Sequence, residues 1–347
     1  MTDRKPGLIV LACVVIAVSI VPGCSRLEPA SSDEVGAPEV TLSVLGFAAG
    51  TSTQLRADAI AEAVRLEHPD WKVTSMAAGG EARLMEKRMS GEADLFFPPS
   101  PRALELEVQT PLHPDGDFDS LTAYRVVMPS SFVWLHLLAR DDTAFNKPSD
   151  LVMGRYPFTA GCGAGIMTLL FTSILQYYGA DLEEAESWGA KLEVMLLASA
   201  EGVEALESGR IDVGLTWAGI PIAQFLGMNS DVRLLPFEDP GLVRMFESLG
   251  CVPAVIPAGT YPFVTRDVPT VAAPQPLVAR AELPDEVVYG VVKAVFRHIE
   301  LLSAAYADSA RHMTQEGVAA AVALSEQTGD AFHPGALKYY RERGWIS

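Results

Sequence analysis

The chain has 347 residues, 49% of them hydrophobic, so it can bury a large core, and its length suggests two domains. A formal charge of −18 speaks against nucleic acid as a partner, because phosphate binding needs a basic patch and none is visible. What remains is a soluble, acidic, globular protein.

Arg4 and Lys5 precede an apolar run from Leu8 to Val21, followed by Val-Pro-Gly-Cys. A charged start and an apolar stretch too short for a comfortable membrane span predict a signal peptide over residues 1–23. Val21 and Gly23 fit a bacterial lipoprotein cleavage box, with an atypical Pro22. Cys24 is therefore the predicted lipidation site, against an ordinary cleaved signal or an uncleaved anchor. Residues 24–39 are polar, with Pro and Gly, and predict a flexible tether. The expected location is extracytoplasmic, held to a membrane by lipid.

From Val40 apolar runs alternate with helical patterns. VTLSVL reads as a strand and GFAAGTST as a small glycine-containing loop. The next helix carries Leu55, Ala59, Ala63 and Leu66 on one face. WKVTSM is a second strand, GGEARLMEKRMSG a short helix closed by Gly91, and ADLFF a third strand. The order then recurs. YPFTA is a strand, GCGAG a glycine loop, and a helix follows with Ile166, Leu169, Leu170, Ile174 and Tyr177 on its apolar side. LEVMLL, a helix capped by Ser199 and IDVGLTW complete the second unit. The junctions SGEADL and SGRIDV match, and their aspartates, Asp94 and Asp212, stand 118 positions apart (212 − 94).

A β–loop–α–β–α–β unit used twice predicts two similar α/β lobes. Thr122–Met128 and Pro269–Val278 flank the second unit and read as segments crossing between them. That places lobe one at 40–126 with 270–347, and lobe two at 127–269. The last stretch is helical, with Val287, Val291, Val295 and Ile299 in one stripe, and returns to complete lobe one.

The two glycine loops point to binding. In an open α/β sheet, ligands sit beyond the carboxyl ends of strands, where helix N-termini present unpaired N–H groups. One such loop per lobe, facing across a cleft, makes a clamp for a small anion. Neither a P-loop nor a dinucleotide fingerprint is present. The six histidines are scattered, so neither a metal site nor a cofactor is predicted. Cys162 and Cys251 read as two buried thiols, or as a bridge in an exported protein.

HPGALKYYRERG, near the C-terminus, closely resembles the C-terminal signature of the solute-binding subunits of TAXI-type TRAP transporters. Residues 256–296 are similar to that family's hinge and following helix, and ALESGRIDVGLTWAGIP at 205–221 to its second-lobe motif. The resemblance covers about residues 40–347. It implies a bilobal periplasmic-binding-protein fold of type II. It also implies capture of a small organic anion, a carboxylate or an amino acid, and delivery to a sodium-coupled membrane permease. The terminal helix is then mostly structural, with Tyr339 and Tyr340 packed inward and Lys338, Arg341 and Arg343 either solvated or a permease contact.

The sequence departs from that family at the site. The first loop keeps Gly46, Gly50 and Thr51, but has Ser52, Thr53 and Gln54 where an aromatic-Pro end is usual. The second-lobe loop lacks its usual serine, and a GGS-type turn has become Gly79-Gly80-Glu81. The expected ligand contacts are Phe47, Gly50, Thr51, Ser52, Gly80 and Glu81 from lobe one. From lobe two they are Cys162, Gly163, Gly165, Thr216, Trp217 and Gly219. Glu81 either follows the preference for a carboxylate in a first helical turn or selects an ammonium group on the ligand. Trp217 either covers the ligand or belongs to the core. No GxSxG and no plausible Ser/His/Asp spacing occur, so an enzyme is not predicted. A sensory receptor's binding module, or the binding protein of an ATP-driven importer, are the alternatives. The chain is expected to be a monomer.

Overall fold

The structure is a computed structural model that describes residues 39–79, 81–98, 124–228, 231–328 and 330–347. The segments expected to be signal peptide and tether, up to residue 38 and including Cys24, and Gly80 lie outside the described residues.

The twofold pattern appears directly in the strand pairing. β1 (Thr41–Gly46) lies between β2 (Lys72–Ala77) and β3 (Leu95–Phe96), parallel to both. β5 (Thr159–Cys162) lies in the same way between β6 (Lys191–Val194) and β7 (Val213–Ala218). Two long antiparallel strands, β4 (Tyr124–Arg140) and β10 (Val268–Arg280), join the halves: β10 pairs with β3 and β4 with β7. The result is one ten-stranded sheet, to whose path β8 (Val232–Leu234) adds on β4 and β9 (Val252–Ile256) on β10. β4, at 17 residues, is far longer than the segment expected from sequence, whereas β10 extends the expected one only slightly at each end. Pro129, Pro274 and Pro276 interrupt their donor rows, and the register shifts after Gln275.

In the first half, α1 (Ser52–Glu67) and α2 (Glu81–Met89) alternate with the strands. In the second, the helices are α3 (Asp150–Met153), α4 (Ile166–Tyr177), α5 (Leu182–Ser187), α6 (Ala200–Glu207) and α7 (Pro240–Ser248). The C-terminal α8 (Asp285–Arg297), α9 (Ile299–Ala305), α10 (Ala307–His312), α11 (Gln315–Thr328) and α12 (Pro334–Glu342) return to the first half. Separate apolar cores fill the two ends. One joins Leu42, Val44 and Ile60 to Val291 and Tyr340; the other is built on Leu170, Phe171, Val213 and Phe246. The fold is thus bilobal α/β, with two lobes on a shared pair of crossing strands.

The junction aspartates do the same work twice. Asp94 Oδ2 accepts from Ser43 N at 2.8 Å and Asp212 Oδ2 from Thr159 N at 2.8 Å, so each ties the third strand of its unit to the first. Among the described residues only Asp94 adds an ion pair, to Arg280 at 2.6 Å.

Three expectations need correction. On α1, Leu55 and Leu66 are exposed, and the buried stripe is Ala57, Ile60, Ala61 and Val64, with Ala59 and Ala63 beside it. The helix is rotated because Arg56 points inward, where hydroxyls and an amide receive its guanidinium. On α4, Tyr177 is exposed, while Phe171 and Leu175 are buried. The strand expected at YPFTA begins only at Thr159 and runs through Cys162, taking in the first two residues of the expected glycine loop. Cys162 and Cys251 are both buried free thiols.

The C-terminal signature is structural. His333 caps α12: Nδ1 accepts from Gly335 N at 3.2 Å and Nε2 faces Leu283 O at 3.0 Å, an arrangement that needs the neutral ring. Tyr340 donates to Val127 O of β4 at 2.8 Å, and Tyr339 lies against Phe296. Lys338, Arg341 and Arg343 are exposed.

Candidate functional site

A cavity of about 190 Å³ opens between the lobes, at the ends of β1 and β7 and the starts of α1 and α4. Its first wall is Leu45, Gly46, Phe47, Thr51, Ser52, Thr53, Leu84, Arg88 and Phe97. The opposite wall is Val133, Gly163, Ile166, Met167, Leu196, Ala198, Thr216, Trp217, Ala218 and Gly219, and Gln275 of crossing strand β10 completes the lining. Of the residues expected from sequence, Phe47, Thr51, Ser52, Gly163, Thr216, Trp217 and Gly219 are brought together here.

The others are not in the wall. Gly50 holds a left-handed φ of +80° in the turn before α1 without reaching the cavity. Cys162 ends β5, fully buried, and burial pushes its thiol up to about 11, so it is neutral at physiological pH. Gly165 is the N-cap of α4, with a φ of +63° that favours glycine. Glu81 begins α2, but its side chain, like Gly80, lies outside the described residues.

The hydroxyls of the first loop divide their roles. Thr51 Oγ1 donates to Ala48 O at 2.7 Å and caps α1, and Thr53 Oγ1 accepts from Phe47 N at 3.2 Å. Both hold the loop in shape. Ser52 lines the cavity, and its carbonyl accepts from Arg56 Nε at 3.1 Å. Across the cleft, the Trp217 indole donates to Val133 O at 2.8 Å. The ring is thereby fixed, packing on the second core and facing the cavity at once. Gly219 is needed for close approach: a Cβ there would overlap the hydroxyl of Tyr306.

Arginine supplies the charge that the described residues bring to the cavity. Among the described residues Arg88 is the one charged side chain in the wall, its guanidinium 4.6 Å from the Phe96 ring centre. Immediately behind the wall, Arg56 is fully buried against the ring of Phe97 at 4.4 Å. Burial lowers it to about 10, so it stays protonated at neutral pH. Neither arginine was expected at the site from the sequence. Gln275 left a signal, a lone amide between two prolines in an apolar run.

Solved structures with a similar chain path are distant in sequence. The alkanesulfonate-binding protein SsuA from Xanthomonas axonopodis pv. citri, bound to MOPS, is 14% identical over 88% of this chain and 84% of that one, with a TM-score of 0.45. The periplasmic aliphatic sulphonate binding protein SsuA from Escherichia coli is 13% identical over 88% and 79%, with a TM-score of 0.42. The periplasmic binding protein BugD is 15% identical over 86% and 100%, with a TM-score of 0.45. None of these likenesses assigns a ligand to this chain. The sequence profile of the NMT1-like family matches residues 58–344, nearly the whole described structure, and the chain belongs to that family.

Proposed function

We propose that the protein is an extracytoplasmic solute-binding subunit of a transporter, which captures a small organic anion between its lobes. One observation carries this reading. In a chain of net charge −18, the charged side chain that walls the cleft among the described residues is Arg88, with Arg56 directly behind it. Two helices also begin at the cavity, and helix N-termini favour negative charge. Binding, not chemistry, is the proposed role: a ligand touching both walls favours the closed arrangement of lobes, and that population is what a permease reads.

The finer assignment, a TAXI-type TRAP transporter with a sodium-coupled permease, is supported by the resemblance of the C-terminal helix and hinge. We further propose lobe boundaries near residues 126 and 270, within the crossing strands, and lipid attachment at Cys24. The test is a thermal-shift and calorimetric screen of carboxylates, amino acids and sulfonates on the purified protein. Ligand at a hundredfold excess over its dissociation constant stabilises by about 2.7 kcal/mol, a shift that is easily read. A folded sample that responds to none of these anions would overturn the reading. Co-purification with a multi-spanning membrane permease separates transport from sensing. Loss of lipid mass in Cys24→Ala tests the anchor.

A further inference from the structure

Arg56 is an unusual group to find at 0% exposure. A buried guanidinium is stable when it is paired with an anion and its hydrogens are satisfied. Here four of the five N–H hydrogens find acceptors, but among the described residues the charge is not matched at close range. Nη1 donates to Ser130 Oγ at 3.0 Å and to Ser131 Oγ at 2.7 Å, Nη2 to the Gln275 side-chain oxygen, and Nε to Ser52 O at 3.1 Å. All four acceptors are neutral. Among the described residues the carboxylate that acts on Arg56 is Asp308, and it acts only at longer range.

The fork of Arg56 lands on a cross-strand pair, since Ser131 of β4 stands opposite Gln275 of β10. This is where the crossing strands pass between the lobes. The contact also fixes Gln275. A guanidinium has only donors, so the amide must turn its oxygen toward Arg56 and its NH2 away. Gln275 walls the cleft, and Ser52, bonded to the same guanidinium, walls it too. The cleft is therefore backed by a full positive charge, held behind the Gln275 side chain that Arg56 orients and the Ser52 main chain that it grips.

We propose that Arg56 and Gln275 form the anion-recognition element of the cleft: Arg56 is the fixed countercharge, and Gln275 presents its amide hydrogens to the ligand's anionic group. This rests on the reading that the cleft takes an anion. It assigns selection of that anion to residues on α1 and β10, away from the glycine loops. It also links occupancy of the site to the strands on which the lobes turn.

The test is Gln275→Glu in the full mature protein, with succinate, 2-oxoglutarate, L-glutamate and methanesulfonate as probes. A carboxylate at this position meets the unmatched Arg56 and removes the amide donors. The ligand-free variant should melt at the same temperature as wild type or higher, while affinity for whichever probe binds wild type falls by about tenfold or more. Gln275→Met, which removes the donors without supplying a charge, should lose affinity with no gain in melting temperature. Gln275→Glu that binds the same probes within about twofold would overturn the assignment. So would a ligand-free variant that melts well below wild type, since Arg56 would then not be lacking a countercharge. A wild-type protein that binds none of the probes sinks the anion reading instead, and the ligand-free melting comparison still decides the status of Arg56.

Discussion

The two strand–loop–helix units share a topology but finish their cleft-facing turns with opposite chemistry. In the first, β1 passes to α1 through a turn knitted by hydroxyls, with Thr51 capping the helix and meeting Thr53 at 3.1 Å. In the second, β5 passes to α4 through Gly163 to Gly165, with no side-chain cap, and Ile166 and Met167 face the cavity. One wall sets hydroxyls and a cation among apolar side chains, and the other is largely apolar. A duplicated fold thus offers a ligand two unlike surfaces, suited to a molecule with an anionic end and an apolar remainder. The buried ionisable groups divide in the same way. Lobe one buries Arg56 charged, whereas the second half of β4 buries His136 neutral.

The largest expected asymmetry concerns the junction aspartates. Asp94→Ala strips Arg280 of its partner and leaves the Ser43 N–H without an acceptor in a buried setting, which should cost about 3 kcal/mol or more. Asp212→Ala removes a bond to Thr159 N–H with no matching ion pair, and about 1 kcal/mol is expected. Urea denaturation of the two variants measures both. Equal losses would mean that the two units are stabilised alike and that the ion pair to Arg280 adds nothing.

How much of this was legible in the sequence follows from what each feature depends on. The repeated unit and its aspartates could be read because strand and helix ends are set by neighbours a few residues away. The hydroxyl loop and the second glycine loop were found for the same reason, as were Trp217 and Gly219 at the end of β7. Arg56 could not be found. Its inward direction depends on Ser130, Ser131 and Gln275, which lie 74, 75 and 219 positions away along the chain. In an alanine-rich helix the apolar pattern was too shallow to show that the buried face is turned from Leu55 and Leu66 toward Ala57 and Val64. Arg88 was hidden differently, in a helix where charge is the ordinary surface composition.

The contrast of buried charges sharpens through pH. His136 has Nδ1 at 2.8 Å from Trp134 O and Nε2 at 2.9 Å from Tyr261 Oη, and burial lowers it from 6.5 to about 4. Its folded value lies below its unfolded one, so the unfolded chain binds the proton more readily. The stability that depends on neutral His136 is complete above about pH 6.5 and is lost as pH falls toward 4, by about 3 kcal/mol in all. His333, also lowered by burial, acts in the same direction. Denaturation curves of wild type and His136→Gln between pH 7.5 and 4 should therefore differ in slope. Parallel slopes would mean that His136 is not held neutral by the fold.

Where the lobes meet, Gly219 and Tyr306 test how closely the walls approach. A methyl group at 219 overlaps the Tyr306 hydroxyl, which is buried without a hydrogen-bond partner among the described residues. Gly219→Ala should destabilise by about 1–3 kcal/mol, the range for overpacking. Adding Tyr306→Phe removes the overlapped oxygen and should recover most of the loss. Additive effects in the double variant would show that the two residues do not meet.

The smallest effect returns to the loop that distinguishes the two units. Thr51 both caps α1 and closes the turn on Ala48, whereas Gly165 begins α4 with no side chain at all. Thr51→Ala should cost about 1 kcal/mol, as loss of an N-cap usually does, and Thr51→Ser, which keeps the hydroxyl, should cost only a few tenths. Its consequence for binding is the informative part. With the cap gone, the first turn of α1 loosens, and it carries Ser52 at the wall and Arg56 one turn further on. Affinity for the anion should therefore fall more than stability alone requires in Thr51→Ala and remain intact in Thr51→Ser. Calorimetry at a temperature where all three proteins are folded separates the two effects. Unchanged affinity in Thr51→Ala would show that the polar wall keeps its shape without the cap, and that the difference between the two loops is one of packing, not of recognition.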